Sequence, residues 1–175
     1  MRAPAALRAP ALAAVLALTL AQTGCLYSFR AGSFPPEHIN TIAIVPFENE
    51  TERFDIAGLI YEELLRTLPS ALGINPGGEE TADAVVRGTV RGYEVVAPNY
   101  QSGQPGQPAQ VSQRQVNLTV EVQIVDLVEN VILWEERSIR VEGQFLEDSE
   151  TEEVGRTEAL DILVQRIVDG AQSNW

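Results

Sequence analysis

The sequence contains no lysine, one cysteine and one histidine, and each of these shortages argues against a class of protein. All 12 basic residues are arginines, set against 25 acidic residues, so the formal net charge is −13. A surface of this sign repels phosphate backbones, which argues against general nucleic-acid binding. One cysteine and one histidine cannot assemble a structural zinc site, and one cysteine cannot form a disulfide within the chain. We expect no metal and no cofactor.

Sequence signatures of catalysis are also missing. There is no glycine-rich phosphate loop and no nucleophile elbow. His38 has no serine or cysteine near it in the sequence and is interpreted as a surface residue. The carboxylates cluster over Glu147–Glu153 or alternate along strands, which is typical of solvated surfaces rather than of a catalytic pair. We therefore predict that the protein is not an enzyme.

Long hydrophobic runs are absent as well. The longest, Ala9–Ala21, follows the basic residues Arg2 and Arg8. Its thirteen residues would span about 20 Å as a helix, which is less than the ~30 Å core of a bilayer. A basic start followed by a short apolar stretch is typical of an export signal. Residues 1–24 are predicted to be a lipoprotein signal peptide.

The cysteine lies where this signal would end. The run Gln22-Thr23-Gly24-Cys25 resembles the lipobox of bacterial lipoproteins, which implies that Cys25 is acylated and becomes the new N-terminus. The alternative is ordinary cleavage after Ala21, which would leave Cys25 as a free thiol. A lipid at Cys25 would explain a lone thiol in a secreted protein, so we favour membrane attachment through it. Leu26 stands where aspartate would retain a lipoprotein in the inner membrane, which favours the outer membrane.

The remaining chain is predicted to be a short tether followed by one domain. Residues 25–37 contain Gly32, Pro35 and Pro36 and are interpreted as the tether, and residues 38–172 as the domain. Loss of the two signal arginines leaves ten basic and 25 acidic residues, a net charge near −15. A chain of this length can bury a core of its own.

Hydrophobic periodicity predicts four strands and two helices. A buried strand covers Thr41–Phe47, and a helix capped by Asn49 and Glu52 closes at Pro69 and Gly73. Alternating residues then predict strands over 82–93, 115–124 and 131–142, the last two joined as a hairpin at Asp126–Asn130. A capping box at Ser149–Glu152 opens a second helix that Gly170 ends. Between Pro98 and Gln110 an uncharged run rich in proline, glycine and glutamine predicts a mobile loop.

This order, β-α-β-β-β-α, predicts an α+β fold. Two helices would pack on one face of a four-stranded sheet that is mostly antiparallel or mixed. Arg87, Arg91 and Tyr93 would share the face that the helices leave open. Ion pairs across the strands, for example to Glu121, are the favoured interpretation of this face. The alternative is a contact surface for a barrel wall or an anionic headgroup, since arginine binds phosphate with two hydrogen bonds.

Five runs of the sequence resemble a known family. They are Gly24–Arg30, Pro35–Ile39, Ile42–Asn49, Ala82–Val90 and Val131–Glu135. In order and spacing they look like the lipopolysaccharide-assembly lipoproteins (LptE-like), and the likeness covers essentially the whole mature chain. The resemblance implies a two-helix, four-stranded domain on the periplasmic face of the outer membrane. Such a domain plugs the lumen of a β-barrel assembly protein and helps to deliver lipopolysaccharide to the outer leaflet.

The resemblance also implies where glycolipid would bind. In the family, the sheet and the loop between the second and third strands face the glycolipid path, and the corresponding loop here is Pro98–Gln110. Basic residues near that loop bind glycolipid in the family. By position, Arg91 and Arg114 are the candidates here.

A second group shares part of the pattern. The run Ile42–Asn49 also resembles the opening strand of outer-membrane lipoproteins related to the curli secretion channel and to the activators of peptidoglycan synthases. Membership of that group would imply a periplasmic interaction module unrelated to lipopolysaccharide. The run after Cys25 favours the lipopolysaccharide-assembly group.

Overall fold

The computed structural model describes residues 34–98, 100–101, 110–111 and 113–173. Within them lie two helices and eight strands. The helices are α1 (Ile56–Leu72) and α2 (Glu152–Ser173). The strands are β1 (Thr41–Ile44), β2 (Glu48–Asn49), β3 (Asn75–Pro76), β4 (Ala84–Val96), β5 (Tyr100–Gln101), β6 (Gln110–Val111), β7 (Gln113–Asp126) and β8 (Val131–Leu146).

The main sheet is mixed and has six strands. Its order is β3-β1-β4-β7-β8, and β2 pairs with β4 farther along the same edge as β1. Strands β1, β2 and β3 pair in parallel, whereas β4, β7 and β8 are antiparallel neighbours. The α+β class and the mixed sheet are confirmed, but the prediction of four strands is wrong. The two additional strands, β2 and β3, are two residues long, which is too short to produce a visible period.

Both helices pack on one face of this sheet. Helix α1 lies against β1, β2 and β3, helix α2 lies against β7 and β8, and the two helices contact each other. One face of α1 is buried at every fourth residue, which places a single apolar stripe toward the sheet. One cluster of buried residues therefore joins the two helices to the sheet as a common core.

The helix ends differ from the sequence expectation. Helix α1 begins at Ile56 rather than after Asn49, because the Asn49 side chain bonds locally to Thr51 and Arg53. It ends as expected at Gly73, which adopts the left-handed conformation with φ 69°. Helix α2 begins at Glu152, and the expected capping box does not form because the Glu152 side chain binds elsewhere.

Gly170 does not end helix α2, which continues to Ser173. Gly170 instead allows close packing, since a Cβ atom at this position would overlap the ring of Trp134. Gly143 of β8 and Gly155 of α2 approach so closely that a Cβ on Gly143 would overlap the Gly155 carbonyl. Glycine thus allows α2 to pack directly against the backbone of β8.

The loop between β4 and β7 lies mostly outside the described residues. At its two ends, Tyr100 pairs with Val111 and Gln101 pairs with Gln110 in an antiparallel two-stranded sheet. The predicted signal peptide and most of the predicted tether also lie outside the described residues. Among the described helices, none is long and apolar enough to cross a membrane.

Candidate functional site

The sheet presents a polar surface on the side away from the helices, which we call the opposite face. Its side chains come from β4, β7 and β8 and lie in cross-strand rows fixed by the strand register. One row is Arg87, Gln123 and Glu135, and another is Glu94, Asn117 and Glu142. Side chains alternate along β7, so its polar residues lie on the opposite face and its buried apolar residues lie on the helix side. The opposite face is therefore a broad, hydrated surface.

Arg87 and Arg91 lie on this face as predicted, but their surroundings differ. Arg91 forms an ion pair with Glu50 and a second one with Glu121, whose carboxylate lies 2.7 Å from its guanidinium. The expected pairing across the strands to Glu121 is thus confirmed. Arg87 is exposed and has no ion pair within the part of the chain that the structure describes. Of these two arginines, Arg87 is therefore the one whose guanidinium remains available to bind an external anion.

Tyr93 does not share this face, and the prediction of its position is wrong. The β4–β7 register shifts between Val90 and Gly92, so Arg91 is an additional residue in a bulge. Beyond the bulge every side chain of β4 changes face, and Tyr93 becomes the cross-strand partner of the buried Leu118. Tyr93 packs against the core on the helix side.

The Tyr93 side chain links β4 to the start of α2. Its hydroxyl donates a 2.6 Å hydrogen bond to Glu152, and the Arg53 guanidinium lies 5.0 Å from the centre of its ring. Arg53 also binds the Glu152 carboxylate at 2.5 Å. Partial burial, together with the bond to Glu152, raises the pKa of Tyr93. This arrangement is structural, since each polar group of the trio has its partner within the domain.

Arg114 lies near the start of β7, beside the loop that the resemblance assigned to the glycolipid path. It pairs with Glu147 in the turn after β8, so its charge is already compensated. Cys25, the predicted site of lipid attachment, lies outside the described residues. The structure therefore brings Arg87 and Arg91 together and places Tyr93 and Arg114 elsewhere.

A cleft of about 730 Å³ opens beside the bulge of β4. The segment from Glu50 to Asp55 forms one wall, and residues 91–95 form the other. Phe54 stands at its edge and is 91% exposed, more than any other large apolar side chain among the described residues. Its surface is evenly divided between polar and apolar atoms, and both of its arginines, Arg91 and Arg53, are already engaged in ion pairs.

A buried carboxylate at the opposite end of the sheet was not predicted. Asp126 is fully buried, and its Oδ2 lies 2.5 Å from Nε2 of His38, a residue 88 positions earlier in the chain. Its Oδ1 accepts hydrogen bonds from the amides of Val128 and Glu129 at 2.8 and 2.9 Å. The interpretation of His38 as a plain surface residue is thus incomplete, because no sequence signal connects positions so far apart.

The two groups shift each other's protonation. The hydrogen bond to Asp126 raises the pKa of His38 despite an opposing effect of burial. Burial would raise the pKa of Asp126, but the two amides and His38 outweigh it, so this pKa is lowered. His38, Asp126 and Glu129 place potential metal-ligand atoms within 4.8 Å of one another. Because both Asp126 oxygens already accept hydrogen bonds, the arrangement is that of a structural pair rather than of a metal site.

The model of one protein family, described as LptE lipopolysaccharide-assembly, matches residues 39–170. This range is well over half of the chain and contains all the strands of the main sheet, all of α1 and most of α2. The chain belongs to the LptE lipopolysaccharide-assembly family. This match confirms the first of the two resemblances. No curated protein matches the chain in sequence.

Solved structures share the fold of this LptE-family protein at low sequence identity. Lipoprotein B from Nitrosomonas europaea, described as uncharacterized, has a TM-score of 0.53 and 15% identity, with 77% of this chain and 83% of that chain covered. A hypothetical protein from Chlamydia trachomatis has a TM-score of 0.52 and 11% identity, with 76% and 98% covered. At such identities the likeness is one of fold alone.

One residue of the opposite face was missed by the sequence argument. Arg140 of β8 is exposed and is the cross-strand partner of Thr119. Like Arg87, it has no ion pair among the described residues. Alternation along β8 could have placed it on this face, because its neighbours Ile139 and Val141 are apolar.

Proposed function

We propose that this LptE-family protein is an outer-membrane lipoprotein that plugs a β-barrel partner and assists lipopolysaccharide assembly. The observation that carries the proposal is the family match over residues 39–170 on a domain with one hydrated sheet face. The alternative, a periplasmic module of the curli-channel or peptidoglycan-synthase-activator group, has no such match in its favour.

The polarity of the opposite face supports the barrel as partner. The lumen of an outer-membrane barrel is polar, so a plug needs a surface that can exchange hydrogen bonds and charges with it. Gln123, Asn117 and Thr119 offer such groups along β7 without an exposed apolar stripe. The 16 residues of β8 give the sheet a length of about 50 Å, enough to extend through a lumen of membrane thickness.

Attachment to the membrane is assigned to Cys25. With this residue acylated, the domain would remain at the membrane despite its negative charge, which anionic headgroups repel. A Cys25→Ala variant should leave the membrane fraction while the domain remains folded. Retention of this variant in membranes of cells that lack the barrel partner would contradict the anchor.

Glycolipid contact is assigned to Arg87 first. Lipopolysaccharide carries phosphate groups, and an unpaired guanidinium can bind phosphate through two hydrogen bonds. Arg91 and Arg114 are weaker candidates because each would have to leave a carboxylate. The loop Pro98–Gln110 contains no charge and would contribute shape rather than headgroup binding.

Purification of the full-length protein from its native outer membrane tests the barrel proposal. Recovery of a large β-barrel in stoichiometric amount is the expected result. Recovery of a penicillin-binding protein without a barrel would support the alternative and overturn the proposal.

A pair of charge reversals tests the role of Arg87. Arg87→Glu should weaken binding of lipopolysaccharide by the purified protein. Arg66→Glu is the matched control, because Arg66 is an exposed arginine on α1, away from the opposite face. Equal binding by both variants and by the unmodified protein would remove Arg87 from the site.

A further inference from the structure

The turn between β7 and β8, together with the first two residues of β8, exposes four aliphatic side chains at one end of the sheet. Leu127 is 36% exposed, Val128 62%, Val131 46% and Ile132 55%, and we call these four residues the hairpin tip. They account for half of the large apolar residues that are exposed among the described part of the chain. Soluble proteins rarely gather exposed aliphatic residues in this way unless the surface binds something.

The hairpin tip is held rigidly. The buried Asp126 accepts hydrogen bonds from two amides of the turn, and Leu127 donates its own amide to the carbonyl of Asp83 at 2.8 Å. Asn130 completes the turn in the left-handed conformation, with φ 55°. The four aliphatic groups are thus presented without the entropy cost that a flexible loop would incur on binding.

An apolar row continues from the tip across the opposite face. Ile132 is the cross-strand partner of Val125, Val125 of Val85, and Val85 of Ala43. The next row toward the other end of the sheet begins with Arg87 and is polar. Val85 and Ala43 of this row are buried and Val125 is half-buried, so the exposed apolar surface at this end of the opposite face belongs to the hairpin tip.

The chain enters the domain at the same end. His38 binds Asp126 directly at the base of the hairpin and lies only 13 positions after Cys25. Even fully extended, this segment reaches about 45 Å, and a compact segment reaches far less. A lipid on Cys25 would therefore tether the domain to the bilayer by the end of the sheet that carries the hairpin tip, whereas the loop between β4 and β7 leaves the sheet at its other end.

We propose that, before it engages a protein partner, the lipid-anchored protein rests on the bilayer surface with the hairpin tip inserted among the lipid headgroups. The proposal rests on the anchor at Cys25 in the proposed function. Tethering raises the effective concentration of the tip at the membrane, so a contact too weak to bind by itself becomes populated. The apolar tip then provides a second attachment to the membrane, in addition to the acyl chains on Cys25.

The composition of the tip favours lipid over protein. Protein interfaces draw their binding energy mainly from tryptophan, tyrosine and arginine, whereas leucine and valine are under-represented in their hot spots. The tip contains only leucine, valine and isoleucine. Its acidic neighbour Glu129 would be repelled by anionic headgroups, so the contact suits a zwitterionic surface.

Photo-crosslinking at two matched positions tests the proposal. The photoreactive residue p-benzoylphenylalanine replaces Val128 in one protein and Leu146 in the other. Leu146 is the matched control because it is aliphatic, 48% exposed and located at the far end of β8. Each protein, beginning at Cys25, is attached to phosphatidylcholine vesicles either by its own acyl chains or by a maleimide phospholipid on the thiol.

The expected result is a several-fold higher yield of phosphatidylcholine adduct from position 128 than from position 146, with both modes of attachment. Equal yields in the maleimide-attached proteins would overturn the proposal. Crosslinked dimers through position 128 in place of lipid adducts would also overturn it, in favour of a second copy of the chain. A free Cys25 thiol in protein purified from membranes would refute the anchor, while the maleimide-attached protein would still decide the role of the tip.

Discussion

The two faces of the sheet differ in what their side chains contact. On the helix side, apolar residues of β4, β7 and β8 interlock with α1 and α2, and glycines let backbones approach closely. On the opposite face, polar and charged side chains remain in contact with water, and Arg91 pairs with Glu50 and Glu121. The helix side therefore determines stability, and the opposite face is free to serve binding.

Stability should respond in very different degrees to the same change on the two faces. A buried, tightly packed position has no room to relax, whereas a hydrated position loses little when a side chain changes. The following predictions rank substitutions by their expected effect on the free energy of unfolding.

The largest effect is expected from adding one methyl group between β8 and α2. In Gly143→Ala the new Cβ would overlap the Gly155 carbonyl, so strand and helix must separate at a cost of about 3 kcal/mol. Gly92→Ala is the matched control on the opposite face, because its Cβ would meet Thr119 at an ordinary 3.6 Å. Urea denaturation of both variants measures the difference. Equal stability of the two variants would contradict the close approach of β8 and α2.

An intermediate effect is expected at Asp126, the one fully buried carboxylate among the described residues. Asp126→Ala would leave the amides of Val128 and Glu129 without an acceptor, at a cost of about 2 kcal/mol. Thermal or urea unfolding at pH 6 measures this loss. An Asp126→Ala variant as stable as the unmodified protein would show that the hairpin turn does not depend on this carboxylate.

The His38–Asp126 pair also predicts a pH dependence. The pKa of His38 is raised in the folded protein, so its stabilising effect is complete below its unfolded value of 6.5 and is lost as the pH rises through its folded value. The pKa of Asp126 is lowered from 3.8, so its effect is complete above 3.8 and is lost as the pH falls through its folded value. The stability difference between the unmodified protein and His38→Gln should therefore be greatest between about pH 4 and 6.5. A difference that grows above pH 8 would contradict this coupling.

The smallest effect is expected on the opposite face. Arg91→Gln removes two partly exposed ion pairs, and such pairs contribute about 0.5 kcal/mol each or less. Urea denaturation with and without 0.5 M salt should show a small loss that salt reduces further, since exposed charges are screened (a Debye length of roughly 4 Å). A loss as large as that of Asp126→Ala would mean that the opposite face contributes to the core.

The sequence predicted the long elements well and the local irregularities poorly. Strict alternation over β7 and the four-residue repeat in α1 are strong signals, because each follows directly from burial of one face. The bulge at Arg91 leaves no such signal, and it moves Tyr93 to the other face. Gly170 looked like a helix end because glycine commonly follows a last turn, whereas here it gives room to Trp134.

The candidate site was also predictable only in part, because periodic patterns place a residue on a face but do not identify its partners. Alternation placed Arg87 and Arg91 on the opposite face, but it could not show that Arg91 is neutralised twice while Arg87 is open. The pairing of His38 with Asp126 depends on the arrangement of β1, β4 and β7 in the sheet. Contacts of this kind are properties of the topology, and one sequence carries no direct record of them.

We propose that the opposite face contacts the barrel partner in the native membrane. A photoreactive residue in place of Gln123, which lies between Arg87 and Glu135 on this face, tests it most directly. We expect a crosslinked product that contains the protein and a large outer-membrane β-barrel. A crosslink to a penicillin-binding protein, or no crosslink at position 123 while the barrel still copurifies, would contradict it.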